Sequence, residues 1–94
     1  MAVYRITSFT SSDMDKAGEI IEDMRDVLEG VGAEFIDLVS YDSGEGVVVA
    51  KYPDRATMEA ATDVAKKAFG TCIEAGVIDG DSVNPRPGEV FKSF

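Results

Sequence analysis

The sequence contains no histidine, no tryptophan and a single cysteine, Cys72, among its 94 residues. Without histidine, the most common zinc ligand and the usual general base near neutral pH are both missing. One cysteine cannot form an internal disulfide and fits a reducing compartment. No apolar run approaches the roughly 20 residues of a membrane span, and no basic segment precedes an apolar one near the first residue. We therefore expect a cytoplasmic protein with no metal and no cofactor.

Basic side chains are also scarce. Nine lysines and arginines stand against 18 aspartates and glutamates, which gives a formal net charge of −9. Such a field repels phosphate backbones and anionic lipid headgroups, and the basic residues form no stripe, since only Lys66 and Lys67 are adjacent. The charge balance therefore predicts no nucleic-acid partner and no membrane partner, and the acidic side chains serve solubility.

What is present is typical of one globular domain, residues 1–94, with 45% hydrophobic and 29% charged residues. A chain of this length buries only about two-thirds of its unfolded surface, so the core is thin. Thin cores are often supplemented by oligomerisation.

The segment from Glu45 to Ala75 organises the predicted fold. It begins with a β-branched run, Val47–Tyr52, as expected for a strand that is covered on both faces. Pro53 ends the strand because proline has no amide hydrogen for a neighbouring strand. Asp54 is a good N-cap, and apolar residues then recur at helical spacing. The segment therefore predicts a central strand that leads directly into a long amphipathic helix.

The rest of the chain supplies a first strand, a first helix, a hairpin partner for the central strand and a last strand. Ser12 with Asp15 resembles a capping box for the first helix, and Gly70 is a possible interruption of the second. The predicted ranges are 2–9 for the first strand, 12–29 for the first helix, 34–41 for the next strand, 42–46 for the turn, 54–76 for the second helix, 76–88 for a connection and 89–94 for the last strand.

The resulting order, β-α-β-β-α-β, predicts a ferredoxin-like α+β domain: an antiparallel sheet with two helices on one face. Both faces of the inner strands are apolar, although two helices can cover only one. Alternate residues put Val48 and Ala50 on one face and Val47 and Val49 on the other. A bare apolar sheet face indicates a partner surface, so we expect a homodimer packed sheet to sheet.

The chain resembles the dimeric α+β barrel superfamily, in the neighbourhood of the antibiotic-biosynthesis monooxygenase family. The resemblance covers nearly the whole chain. It depends on the element order, the valine-rich third strand with its terminal aromatic residue, the step YPDRATMEAA and the proline-bearing approach NPRPGEVFKSF. It implies a cofactor-independent monooxygenase or isomerase that acts on a small aromatic or polyketide-like compound. A non-catalytic dimeric module that binds a small ligand or a partner is the alternative.

The chain departs from the family pattern at two places. Many members have tryptophan where this chain has Tyr52, and many have histidine near Ala60 or Ala61. Chemistry in the family that depends on histidine, including haem ligation, therefore does not carry over.

The resemblance places small-molecule sites between the sheet and the helices, where tyrosine hydroxyls can orient a ligand. The candidate ligand-binding residues, which could instead simply fill the core, are Tyr4, Ile6, Ser40, Tyr52, Met58 and Phe69. Arg5, on the other face of its strand, is expected near the dimer interface with Asp37 as one candidate partner.

No catalytic residue can be named from the sequence. Cys72 lies on the apolar side of its helix without a histidine to deprotonate it, which favours a core thiol. The pair Asp79 and Asp81 hints at calcium, but Val83 and Pro85 stand where a calcium loop needs oxygen ligands. An ordinary loop is the better interpretation.

Overall fold

The valine-rich run forms an inner strand of a four-stranded sheet in the computed structural model, which describes residues 2–94. The chain forms, in order, β1 (Val3–Thr10), α1 (Met14–Glu22), α2 (Arg25–Glu29), β2 (Phe35–Ser40), β3 (Glu45–Tyr52), α3 (Arg55–Ala60), α4 (Thr62–Glu74) and β4 (Asn84–Glu89). The strand order is β2-β3-β1-β4, and every neighbouring pair is antiparallel. The predicted ferredoxin-like α+β fold is confirmed.

The first predicted helix is two helices, and its cap lies one residue later than predicted. The Asp13 carboxylate, rather than the Ser12 hydroxyl, accepts from the backbone N–H of Lys16, at 3.1 Å. Ser12 Oγ instead donates to the carbonyl of Gly76, at 3.1 Å, and so joins the start of α1 to the end of α4. The helix ends at Glu22 and resumes at Arg25.

The second predicted helix is also divided, but not at the predicted place. Asp54 caps α3 as predicted, accepting from the N–H of Thr57 at 2.8 Å. The interruption falls at Ala61, whereas Gly70 lies inside α4 without a break. Gly76, with φ of +77°, follows α4 at the predicted end of the second helix, and its left-handed backbone ends the helix. No helix among residues 2–94 is both long and apolar enough to cross a membrane.

The last strand lies earlier than predicted, at Asn84–Glu89 rather than 89–94. It pairs only with β1, and such an edge strand accommodates Pro85 and Pro87 because only alternate N–H groups face a neighbour. Past it, Phe91 is 96% exposed and Phe94 is fully exposed.

The pairing register decides which residues the helices cover. Val3 lies opposite Tyr52, so the odd-numbered residues of β1 share a face with the even-numbered residues of β3. Val3, Thr7, Phe9, Ala50 and Tyr52 are accordingly buried under the helices.

Three predicted side-chain placements are therefore wrong. Tyr4 and Ile6 lie on the open face of the sheet, where Tyr4 packs edge-to-face on Phe35. Arg5 lies on the helix face, so it cannot pair with Asp37, which is opposite Val49 on the open face. The error arose because alternation predicts two faces for each strand but does not say which face of β1 matches which face of β3.

Candidate functional site

The core consists of two separate clusters of buried side chains. One cluster contains Val3, Ala50, Tyr52, Met58 and Ala61; the other contains Phe9, Ala17, Cys72, Val77 and Ile78. Between the sheet and the helices lies a cavity of about 230 Å³ that touches members of both clusters. An apolar cavity of about 150 Å³ is enough to hold benzene, so this one admits a larger ring system.

The cavity exists because the helices leave the β2 side of the sheet incompletely covered. Leu38 belongs to the helix face, opposite Val48, yet is 45% exposed. On the helix side, Gly18 has no side chain, and no atom lies within 4 Å of the position a Cβ would occupy. A shallower depression continues outward past Leu38 and Gly18 to Glu22 and Arg25. The cavity therefore opens between α1, α2 and β2.

The wall of the cavity is almost entirely apolar. Four polar side chains contribute to it: Arg5, Thr7, Ser40 and Tyr52. Ser40 is exposed at the end of β2, whereas Thr7 is 3% exposed on the floor of the sheet. An apolar wall with a few polar groups is typical of sites for small organic molecules.

Arg5 places a positive charge in this wall. Its Nη2 donates to the carbonyl oxygen of Met58, at 2.9 Å, and to Thr62 Oγ1, at 2.7 Å. These two contacts hold the guanidinium across the break between α3 and α4. The guanidinium carbon lies 6.0 Å from the centre of the Tyr52 ring. No carboxylate among residues 2–94 lies within ion-pair distance of Arg5.

Tyr52 is 3% exposed and lies beside Arg5. Burial raises the pKa of its hydroxyl above 10.0, and the positive charge of Arg5 opposes part of that rise. The phenol is therefore neutral at pH 7 and can donate a hydrogen bond. No buried side-chain polar atom of residues 2–94 lacks a partner, and the Tyr52 hydroxyl has no partner among these residues, so the hydroxyl is solvent-accessible. Tyr52 is one of the residues that line the cavity.

The candidate residues named from the sequence divide three ways. Ser40, Tyr52 and Phe69 line the cavity. Met58 is buried in the first core cluster, beside the cavity rather than in its wall. Tyr4 and Ile6 lie on the opposite face of the sheet and are removed from the site.

Sequence reasoning missed Arg5 and Thr7 as cavity residues. The available signal was the shared face of Val3, Arg5, Thr7 and Phe9, which puts the phenylalanine of that strand on the same side as the arginine. Giving that set the helix face would have placed the arginine correctly.

The other candidates for chemistry are structural. Cys72 is completely buried, and burial raises the pKa of its thiol, which makes it a poor nucleophile. The Asp79 carboxylate accepts from the N–H of Asp81, at 3.1 Å, within a short 3₁₀ turn. Within residues 2–94, no three acidic or cysteine side chains come together as a metal site.

Solved structures share this fold over nearly the whole chain. SnoaB, a cofactor-independent oxygenase from Streptomyces nogalater, superposes with a TM-score of 0.75 at 11% identity, over 98% of this chain and 95% of that one. A candidate antibiotic biosynthesis monooxygenase from Deinococcus radiodurans gives 0.67 at 13% identity, with 98% and 95% covered. A dimeric ferredoxin-like protein from an uncultured marine organism gives 0.66 at 12% identity, with 100% and 98% covered.

No family model matches the chain, and neither does any curated protein sequence. At these identities the structural likeness concerns the fold, which is that of antibiotic biosynthesis monooxygenase-like proteins. The predicted resemblance is confirmed at that level.

Proposed function

We propose that the chain binds a small aromatic or polyketide-like compound in the cavity between the sheet and the helices, and acts on it as a cofactor-independent monooxygenase or isomerase. The observation that carries the proposal is the cavity itself, with its apolar wall and its few convergent polar groups. The fold it shares with a cofactor-independent oxygenase supports the reaction class.

The chemistry of the wall limits what the protein can contribute to a reaction. Arg5 and Tyr52 are the two titratable side chains in it. Arginine stays protonated, and the raised pKa of Tyr52 keeps its phenol protonated, so neither accepts a proton near neutral pH. A substrate must therefore ionise with its own acidity. The protein would hold it, exclude water and stabilise negative charge on its oxygen.

The same observation favours the alternative function. A cavity without a proton acceptor is also what a non-catalytic small-ligand-binding module would have. The two functions differ in whether a bound compound is consumed, and they make the same use of the cavity.

We propose further that two copies associate through the open face of the sheet. Ile6, Phe35 and Val39 are 43%, 38% and 40% exposed on that face, with Val47 and Val49 half-buried among them. These exposed apolar side chains favour a partner, and a protein of the same fold is described as dimeric.

The test separates binding from turnover. Fluorescence titration with 2-naphthol measures occupancy of the cavity, and oxygen uptake with 1,4-dihydroxynaphthalene above the buffer rate measures turnover. Gly18→Leu is the control, because a leucine side chain at this position extends into the cavity mouth. We expect binding and uptake by the wild type and at least a tenfold loss of both in Gly18→Leu. Binding without uptake contradicts the monooxygenase activity, and absence of binding contradicts both the catalytic and the non-catalytic function.

A further inference from the structure

We propose that Arg5 is the anion-binding group of the cavity, so that the ligand is an aromatic compound that carries an ionised oxygen, a phenolate, enolate or carboxylate. This inference depends on the proposed cavity function and adds the charge of the ligand to it. The resemblance and the fold comparisons assign no role to Arg5.

Arg5 has no carboxylate counter-charge among residues 2–94. Arg5 is half-buried on the helix face, and its neighbours in the wall, such as Ala50 and Ile36, are apolar. Charged groups that leave water are ordinarily paired with an opposite charge. The chain has twice as many acidic as basic residues, yet the ion pairs found within residues 2–94 involve Arg25, Lys51 and Arg55 and leave Arg5 without one.

The guanidinium of Arg5 has two nitrogens without a partner among residues 2–94. Both contacts of Arg5 use the same nitrogen, Nη2, with Met58 O at 2.9 Å and Thr62 Oγ1 at 2.7 Å. The guanidinium has five N–H donors in a fixed plane. Nε and Nη1 therefore keep three donors, and because no buried side-chain polar atom of residues 2–94 lacks a partner, both nitrogens are solvent-accessible. Arg5 is one of the residues that line the cavity. Both bidentate edges of a guanidinium include Nη2, which already donates to Met58 and Thr62, so Nε and Nη1 can each donate a separate charge-assisted hydrogen bond to an oxyanion.

The cavity wall has polar side chains near Arg5 and a pair of aromatic rings farther away. Tyr52 lies beside it, and Thr7 is two residues along the same strand and therefore on the same face. Phe9 and Phe69 pack edge-to-face at the far end of the cavity, with ring centres 5.8 Å apart. The cavity thus has its positive charge toward one end and the paired rings of Phe9 and Phe69 toward the other. A ring with one ionised oxygen matches both.

A purely structural role for Arg5 is the competing explanation. Its Nη2 contacts already join the end of α3 to the start of α4 across the break at Ala61. That role uses the charge only to strengthen two hydrogen bonds to neutral oxygens. It predicts no preference between a charged and a neutral ligand of the same shape.

The experiment uses two probes of nearly equal shape, 2-naphthoate and 2-naphthamide, titrated into the full chain at pH 7. We expect the wild type to bind the carboxylate at least tenfold more tightly than the amide. Arg5→Met should remove that preference and leave amide affinity within about threefold, whereas Arg5→Lys should keep part of it. Arg86→Met is the matched control, because Arg86 is an exposed arginine on β4, opposite Ile6 on the other face of the sheet.

The outcomes separate the two proposals. Equal affinity of the wild type for the two probes overturns the role of Arg5 while the cavity proposal stands, and this comparison needs no variant to fold. Loss of the preference in Arg86→Met as well as in Arg5→Met also overturns it, because the effect would then be one of net charge. Binding of neither probe contradicts the cavity proposal and the Arg5 proposal together.

Discussion

At the scale of single residues, a shift of one position along β1 decides whether a side chain lies under the helices or on the open face of the sheet. Arg5 and Tyr4 are neighbours in β1, yet Arg5 points under the helices and Tyr4 points to the open face. Position also decides whether a glycine can be replaced by a larger residue, as Gly46 and Gly18 show. At Gly46 a Cβ would meet the ring of Phe9, whereas at Gly18 it would meet nothing.

Gly46→Ala should destabilise the protein, and Gly18→Ala should not. A Cβ at Gly46 would lie 2.6 Å from Cζ of Phe9, and that ring is itself 4% exposed and packed on Phe69, so it cannot move away freely. We expect a loss of about 1–3 kcal/mol in the free energy of unfolding. Gly18→Ala, inside α1, should gain up to about 1 kcal/mol from helix propensity. Urea unfolding measures both, and equal effects would contradict the packing around Phe9.

The buried thiol and phenol should make the fold less stable in alkali. Burial raises the pKa of Cys72 above 9.0 and that of Tyr52 above 10.0. Each group then keeps its proton in the folded state at a pH where the unfolded chain has lost it. The stabilisation is complete below about pH 9 and is lost as pH rises through the folded pKa, by at most about 1.4 kcal/mol per pH unit for each group.

The measurement is the free energy of unfolding at intervals from about pH 7 to pH 11. Cys72→Ala should flatten the first part of the decline, and Tyr52→Phe the later part. If Cys72→Ala declines as steeply as the wild type between about pH 9 and pH 10, the thiol is not responsible.

At the scale of elements, the hydrophobic period identified each segment but did not show where it would be interrupted. The helix breaks fall at Asp23–Met24 and at Ala61, neither of which is a glycine or a proline. At Ala61 the chain tightens, with its N–H shared between the carbonyls of Thr57 and Met58, while Arg5 binds the Met58 carbonyl from the sheet. That break coincides with a contact to a residue more than fifty positions away, which no local pattern contains.

The position of the last strand also could not be predicted from local sequence signals. Pro85 and Pro87 argued for a loop, and the alternation of 89–94 argued for a strand. In the structure both expectations fail. Residues around Pro85 and Pro87 form a strand because the edge position beside β1 tolerates proline. The segment around Phe91 forms no strand, since it pairs with no other strand of the described chain.

At the scale of the whole molecule, the two faces of the sheet differ in what covers them. The helices and the cavity occupy one face, and the other is apolar and open along β1, β2 and β3. We therefore expect light scattering at micromolar concentration to give about twice the chain mass of 10.1 kDa. A stable monomer would contradict the proposed association.

Substitutions at two adjacent valines, Val48 and Val49, test which face of the sheet forms the proposed dimer interface. Val49→Asp places a carboxylate on the open face, opposite Ile6 and Asp37, so it should split the dimer and leave a folded subunit. Val48→Asp places the carboxylate in the cavity wall, so it should lower the free energy of unfolding by about 1–3 kcal/mol. If Val48→Asp dissociates the dimer and Val49→Asp does not, the association uses the helix side.

The sequence by itself determined the strand and helix order, the Asp54 cap, the Gly76 stop and the burial of Cys72. These depend on local backbone chemistry and on hydrophobic period, which are complete within short segments. It also determined that the inner strands have two apolar faces. Tyr52 was expected under the helices because the helix that follows β3 directly must fold back over the face that Tyr52 shares with Ala50, and Tyr52 lines the cavity there.

Only the tertiary structure decided the register between β1 and β3, and with it the face to which Arg5 and Tyr4 belong. Alternation divides the residues of a strand between two faces but does not say which face lies under the helices. Only alignment with a partner strand decides that. The same register decides that a cation, and not the rings of Tyr4 and Ile6, enters the cavity wall. The cavity volume likewise depends on how far the helices cover β2, which is a distance between elements and is not encoded in any one of them.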